Sequence, residues 1–288
     1  MRFRIVALCV GMATMLAAPT AAATPRGIFG NRCTYSHSLM DDPILHPGDP
    51  GASHLHDFFG NETTQASSTL AEMRRGASTC DLTTDTSGYW FPAGYKGSDR
   101  VTPTFSKAYY FGVPSSDVEV IPRGLQLVAG NATATSAAEN PRASWSCGAR
   151  GTRRTPIVDH PYDCRRFAAR WNFVDSVVGR VDFPSCWNGT GLGPDAVAYA
   201  VGRDCPAGFP HRLPTIRMQV HFGILDPCPP SLRCTSGGTD RNVTLALSSG
   251  SYYTLHADFW NVWHRRALRR LTARCLDRHI HCGFLSDP

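Results

Sequence analysis

Short runs in which apolar residues fall on every second position recur along this chain, and each predicts a strand. The clearest is 215–222, with Ile216, Met218, Val220 and Phe222 in alternation, followed by 101–113, which carries Lys107-Ala108-Tyr109-Tyr110-Phe111. Residues 33–37, 118–121, 125–129, 145–147, 175–182 and 197–201 add shorter ones, and 245–247 is expected to pair with 251–255 across Ser248-Ser249-Gly250. Helical spacing is rarer. Leu70 and Met73 suggest a short helix within 67–76. Near the end, Trp260, Trp263, Ala267, Leu271 and Cys275 recur at three- and four-residue steps, opposite Arg265, Arg266, Arg269, Arg270 and Arg274. That pattern predicts an amphipathic helix over 258–278, with Asp258 in or before its first turn. With 21 prolines and 26 glycines between short strands, the expected class is all-β: a single disulfide-rich, jelly-roll-like β-sandwich with long ordered loops and one C-terminal helix.

Composition narrows the setting. Arg2 and Arg4, the apolar run 5–18 and Ala21-Ala22-Ala23 have the form of a secretory leader cut near residue 23, leaving 24–288 as one exported domain. The run is too short for a membrane span, so no membrane association is expected after cleavage. Removing Cys9 leaves an even set of cysteines, as expected of a disulfide framework outside the cell. Sequence separation favours Cys228–Cys234, Cys275–Cys282 and Cys147–Cys164, then Cys33–Cys80 and Cys186–Cys205, although spacing alone does not fix connectivity. The formal charge of +6 drops by two when Arg2 and Arg4 leave. That mild balance gives no warrant for a nucleic-acid partner. A monomer is expected.

The chemistry concentrates in 42–61, D-P-I-L-H-P-G-D-P-G-A-S-H-L-H-D-F-F-G-N. Pro43, Pro47 and Pro50 with Gly48 and Gly51 predict an ordered loop up to Ser53. From there, period-two alternation sets His54, His56 and Phe58 against Leu55, Asp57 and Phe59, so two imidazoles share one face. Two histidines are half of a metal site for zinc or copper; His37 or His256 would supply a third nitrogen and Asp57 or Asp258 a carboxylate. The catalytic candidates are His54, His56 and Asp57, and the metal candidates His37, His54, His56, His256 and Asp258. Competing with this, the histidines can be plain hydrogen-bonded loop residues, and His256 with Asp258 a helix-start carboxylate beside an unrelated ring. Tyr89, Trp90, Tyr95 and Trp187 offer faces for sugar stacking, with Asn188 bonding hydroxyls, unless they belong to the core.

Six motifs in order, D-P-I-L-H-P-G (42–48), S-H-L-H-D-F-F-G-N (53–61), Y-W-F-P-A-G-Y (89–95), P-R-G-L-Q-L-V-A-G-N (122–131), F-P-S-C-W-N-G (183–189) and C-P-A-G-F-P-H-R-L-P-T-I (205–216), resemble a secreted bacterial and fungal family, the domain-of-unknown-function family "nineteen ninety-six". The resemblance covers about 33–222. It implies an extracellular protein associated with cell surfaces, without a transferable activity; fungal members often carry WSC carbohydrate-binding modules, and none is present here. Members commonly have His where this chain has Ala196, which leaves His37, His54, His56 and His211 as the family histidines.

Three functions stay open. A non-catalytic protein binding cell-wall or extracellular polysaccharide is slightly favoured. A metal-assisted or acid–base polysaccharide-active enzyme built on His54, His56 and Asp57 is the alternative, and a purely structural extracellular protein the third.

Overall fold

In the computed structural model, residues 26–114, 116–148, 155–165, 176–223 and 243–287 are described. The strands are β1 (Ile28–Leu39), β2 (His56–Gly60), β3 (Gly88–Pro92), β4 (Gly94–Lys96), β5 (Asp99–Val101), β6 (Pro103–Phe111), β7 (Gln126–Gly130) and β8 (Ala143–Cys147). They continue with β9 (Val177–Asp182), β10 (Cys186–Trp187), β11 (Val197–Ala198), β12 (His211–Arg212), β13 (Thr215–Phe222), β14 (Ala246–Leu247), β15 (His256–Trp260) and β16 (His281–Phe284).

One large sheet runs in the order β7-β15-β3-β2-β1-β6-β13-β9-β8, antiparallel throughout, with β16 lying parallel beside β1. β1 joins its halves: Ile28–Thr34 pair with β6, and from Tyr35 on the strand pairs with β2, with a register shift between Tyr35 and His37. The two halves face each other across the core. Tyr89 of β3 meets Tyr110 of β6 hydroxyl to hydroxyl at 2.8 Å, and Leu255, just before β15, packs close to Gly179 of β9, so the far edges nearly close. Small sheets β11-β10-β12 and β14-β4-β5 complete the all-β fold.

Alternation explains the half facing solvent. In β13, Ile216, Met218, Val220 and Phe222 are buried while Thr215, Arg217 and Gln219 are half-buried on the other face. β2, β3 and β15 differ, being buried on both faces. Phe59, Tyr89, Phe91, Ala257 and Phe259 enter the main core; Phe58, Trp90 and Trp260 form a second cluster with Ile44, Met73 and Val262. The residues preceding β2 and the short helix α1 (Leu70–Met73), capped reciprocally by Thr69 and Glu72, supply Ile44 and Met73 to that cover.

Three expectations change. Residues 256–260 are β15, not the start of the last helix; α2 spans Arg265–Leu271 and continues as a π-turn over Thr272–Leu276. Residues 246–247 pair with β4, and Tyr252–Thr254 is a single 3₁₀ turn instead of a partner strand. Residues 118–121 form no strand, although Val118 and Ile121 are buried. The disulfides Cys33–Cys80, Cys147–Cys164, Cys186–Cys205 and Cys275–Cys282 match the expected pairs; Cys228–Cys234 lies outside the described residues. No helix among the described residues is long and apolar enough to cross a membrane.

Candidate metal centre

The loop before β2 is fixed by two aspartates at its entrance. Asp41 accepts from the Gly51 and Ala66 N–H groups at 3.0 and 2.9 Å, and Asp42 from those of Ile44 and Leu45 at 2.9 and 3.0 Å. At its exit, Ser248 donates to the Leu55 carbonyl at 2.5 Å and accepts from the Ala93 N–H at 3.0 Å. The prolines add no donors that would need partners, so a loop without regular structure keeps its polar groups satisfied.

This loop brings His54 and His56 against His256, the first residue of β15. His54 Nε2 lies 3.1 Å from His256 Nε2, and His56 Nε2 lies 3.2 Å from the same atom. Gly130 makes the approach possible. It sits opposite His256 with φ of +90°, and a Cβ there would fall 2.7 Å from the His256 Cα.

The outer nitrogens decide the protonation. His56 Nδ1–H donates to the Asp41 carbonyl at 3.0 Å, and His256 Nδ1–H donates to the Thr254 carbonyl at 2.8 Å. A carbonyl only accepts, so both rings carry their hydrogen on Nδ1. Burial opposes a second proton: it drives His56 well below the usual histidine range, lowers His256 to about 4, and lowers His54 also. The Nε2 atoms of His56 and His256 therefore present lone pairs to each other, with no proton to share across the 3.2 Å between them. A proton on His54 can relieve only its own contact with His256. A cation relieves all of them. Tetrahedral coordination with metal–nitrogen bonds of 2.0–2.1 Å places neighbouring nitrogens about 3.3 Å apart, close to both measured separations.

A carboxylate stands next to the imidazoles. Asp258 follows His256 by two positions, so both project from the same face of β15. It is fully buried, and neither of its oxygens has a hydrogen-bond partner. Burial, followed by the neighbouring Asp42, raises its pKa well above the ordinary carboxyl range. Ligand atoms of Asp42, His56 and Asp258 lie within 4.8 Å of one another, as do those of His54, His56 and His256. The two sets share His56; no single set joins all five residues, so Asp42 and Asp258 stand as a carboxyl pair next to the three-imidazole cluster. Asp42 was missed as a site residue: its signal was its place at the head of the Pro- and His-rich loop motif, and its capping of that loop masks its proximity to Asp258.

The other candidates lie elsewhere. Asp57 points to the opposite face of β2, where it accepts from Ser38 Oγ and Arg100 Nη2, both at 2.6 Å. His37 has both nitrogens engaged, 2.8 Å from Ser36 Oγ and 2.8 Å from the Thr64 carbonyl, with its ring stacked on Phe58. Tyr89 and Trp90 are fully buried in different layers of the core. Tyr95 lies under the Arg100 guanidinium; Trp187 is half-buried and donates to the Gly191 carbonyl; Asn188 accepts from the Thr190 and Gly191 N–H groups. These five do not assemble a stacking surface. His211 pairs with Glu119 at 2.8 Å on the far small sheet.

No curated protein and no solved structure matches the chain. A family model does match, over residues 42–263, a span that extends beyond the sequence motifs to take in β15 with His256 and Asp258. On that match, which covers most of its length, the chain belongs to the family described as Domain of unknown function (DUF1996).

Proposed function

We propose that His54, His56 and His256 hold one divalent transition-metal ion, zinc or copper, and that the protein is an exported metal-dependent enzyme acting on extracellular polysaccharide. One observation carries this reading: the His56 and His256 lone pairs face each other at 3.2 Å with both outer nitrogens committed to carbonyls. Backbone carbonyls behind ligating imidazoles are the usual means of fixing tautomer and ring orientation. Three neutral nitrogens suit zinc or copper and leave the ion its full charge, with a position open for water whose pKa then falls toward neutrality.

The chain's own groups divide the remaining work. His56 and His256 are sealed and orient the centre, while half-buried His54 is the ring of the three that reaches solvent. Asp258 adds negative charge beside the nitrogens and, once a cation binds, is stable as a carboxylate able to ligate or to take a proton from an attacking water. The disulfides and the leader-like N-terminus support an extracellular setting. Polysaccharide is the substrate class suggested by the family resemblance. Non-catalytic sugar binding loses ground because Tyr89 and Trp90, two of its four named stacking residues, have no exposed surface, while half-buried Tyr95 and Trp187 are engaged by Arg100 and Gly191.

Protein loaded with zinc or copper and freed of excess by gel filtration should retain one equivalent by elemental analysis, and His256→Ala should retain none. Wild type retaining no metal overturns the centre. Metal-dependent release of new chain ends from cell-wall polysaccharide, lost on chelation and restored by metal, is the expected activity; stoichiometric metal without such release overturns the enzymatic half alone.

A further inference from the structure

A second, unrelated feature lies on the outer face of the half-sheet formed by β6, β13, β9 and β8. Register sets its composition. Lys107 of β6, Gln219 of β13, Arg180 of β9 and Ser144 of β8 stand side by side across four strands. The next row holds Tyr109, Arg217 and Asp182, and the row on the other side Phe105, His221 and Val178. Of these, Lys107, Tyr109, Arg180, Arg217, Gln219 and His221 line an open pocket of about 450 Å³; neither Asp182, which is paired with Arg217, nor any other acidic side chain is among its described lining residues. That volume is the size of a small-molecule site.

Two buried polar groups on this wall lack partners. Arg180 is only 9% exposed, and its Nε has no hydrogen-bond partner. The nearest carboxylate, Asp182, is committed to Arg217 through bonds of 2.5 and 2.8 Å. Burial and the Arg217 guanidinium both lower the Arg180 pKa, the signature of a cation whose charge is poorly balanced. His221 is 3% exposed; its Nδ1 lies 3.0 Å from Ser176 Oγ, and its Nε2 is unpartnered. The Ser176 hydroxyl can donate to Nδ1, and in that tautomer Nε2 carries the ring's hydrogen and can offer it to an acceptor. A buried guanidinium Nε–H and an imidazole nitrogen left without partners on one wall is a costly arrangement unless a partner arrives.

We infer that this pocket binds an oxyanion carried on a small organic molecule, such as an acidic sugar, with Arg180 and His221 holding the anion and the Tyr109 ring forming the apolar wall beside it. The site is independent of the histidine centre, which lies on the outer face of the other half-sheet. An acidic sugar brings the two together functionally: it would let an enzyme grip a charged residue of a polymer at a distance from the bond it cuts.

Calorimetric titration of the full chain with D-glucuronate, D-glucose 6-phosphate and D-glucose tests this. Binding of at least one charged probe at least tenfold tighter than glucose is expected, weakening as salt rises. The carboxylate and phosphate arms identify the oxyanion. Arg180→Met should lower that affinity at least tenfold. Gln219→Glu, which places a carboxylate between Lys107 and Arg180 on a half-exposed position, should abolish binding while raising thermal stability; it provides the answer if Arg180→Met fails to fold. His256→Ala should bind as wild type does. Equal binding of glucose and the charged probes, no binding of any, or unchanged affinity in Gln219→Glu overturns the inference.

Discussion

Asp258 and Asp57 are both buried aspartates of one half-sheet, on β15 and β2 with β3 between them, yet substitution should affect them in opposite ways. Asp57 has a hydroxyl and a guanidinium on one oxygen; Asp258 has no partner on either. Asp258→Asn should leave the metal-free protein at least as stable in denaturant melts and weaken metal binding by about 10–100-fold in competition titrations. Asp57→Asn should instead cost about 3 kcal/mol, by leaving Arg100 without its carboxylate, with metal affinity unchanged. Alternation already contained this distinction, since it puts Asp57 across the strand from His56. Asp258 was harder to read. Its strand, H-A-D-F-W, is buried on both faces and gives no period-two signal, and the nearby tryptophans fall at helical spacing by coincidence. Away from the centre, Asp85 accepts from Asn31, Ser87 and Tyr89, yet burial raises it to about 6. The folded state therefore holds this proton more tightly than the unfolded chain. Stability should fall as pH rises from about 4 to about 6, by about 3 kcal/mol, and Asp85→Asn should remove that slope from pH-dependent melts.

β1 decides the architecture at the level of elements. Its first seven residues build one half-sheet with β6 and its last five the other with β2, so a single register shift turns the chain from one layer to the next. Cys33–Cys80, separated by 47 residues, ties β1 near this turn to the segment leading into β3. Removing it with paired Cys→Ala changes should cost about 4 kcal/mol by chemical denaturation, mostly through the freedom returned to the unfolded loop. Strands with one wet face, β6 and β13, were legible to within a residue or two because their polar positions mark the period. Strands covered twice were not. The last helix was displaced for the same reason: α2 begins only at Arg265, after β15 and a connecting turn.

For the molecule as a whole, the centre couples chemistry to stability. Ligands from the 41–56 loop and from β15 meet only in the folded chain, so a bound ion stabilises it. At a free metal concentration 100 times the dissociation constant, the gain is about 2.7 kcal/mol, a rise of roughly 5–10 °C in melting temperature. Chelator should reverse it, and His256→Ala should show no response to either metal or chelator in thermal scans. The all-β class and the histidine pair were legible from local pattern. For the third imidazole the sequence offered His37 and His256 without choosing between them, since the choice rests on a contact between positions 200 residues apart that no local pattern joins.

β15 occupies an interior place, between β3 and β7, although it is among the last strands to be made. A nascent chain halted before residue 256 would lack the third imidazole and the strand that joins edge strand β7 to β3. On the proposed reading, the imidazole cluster would be completed only when translation is nearly finished.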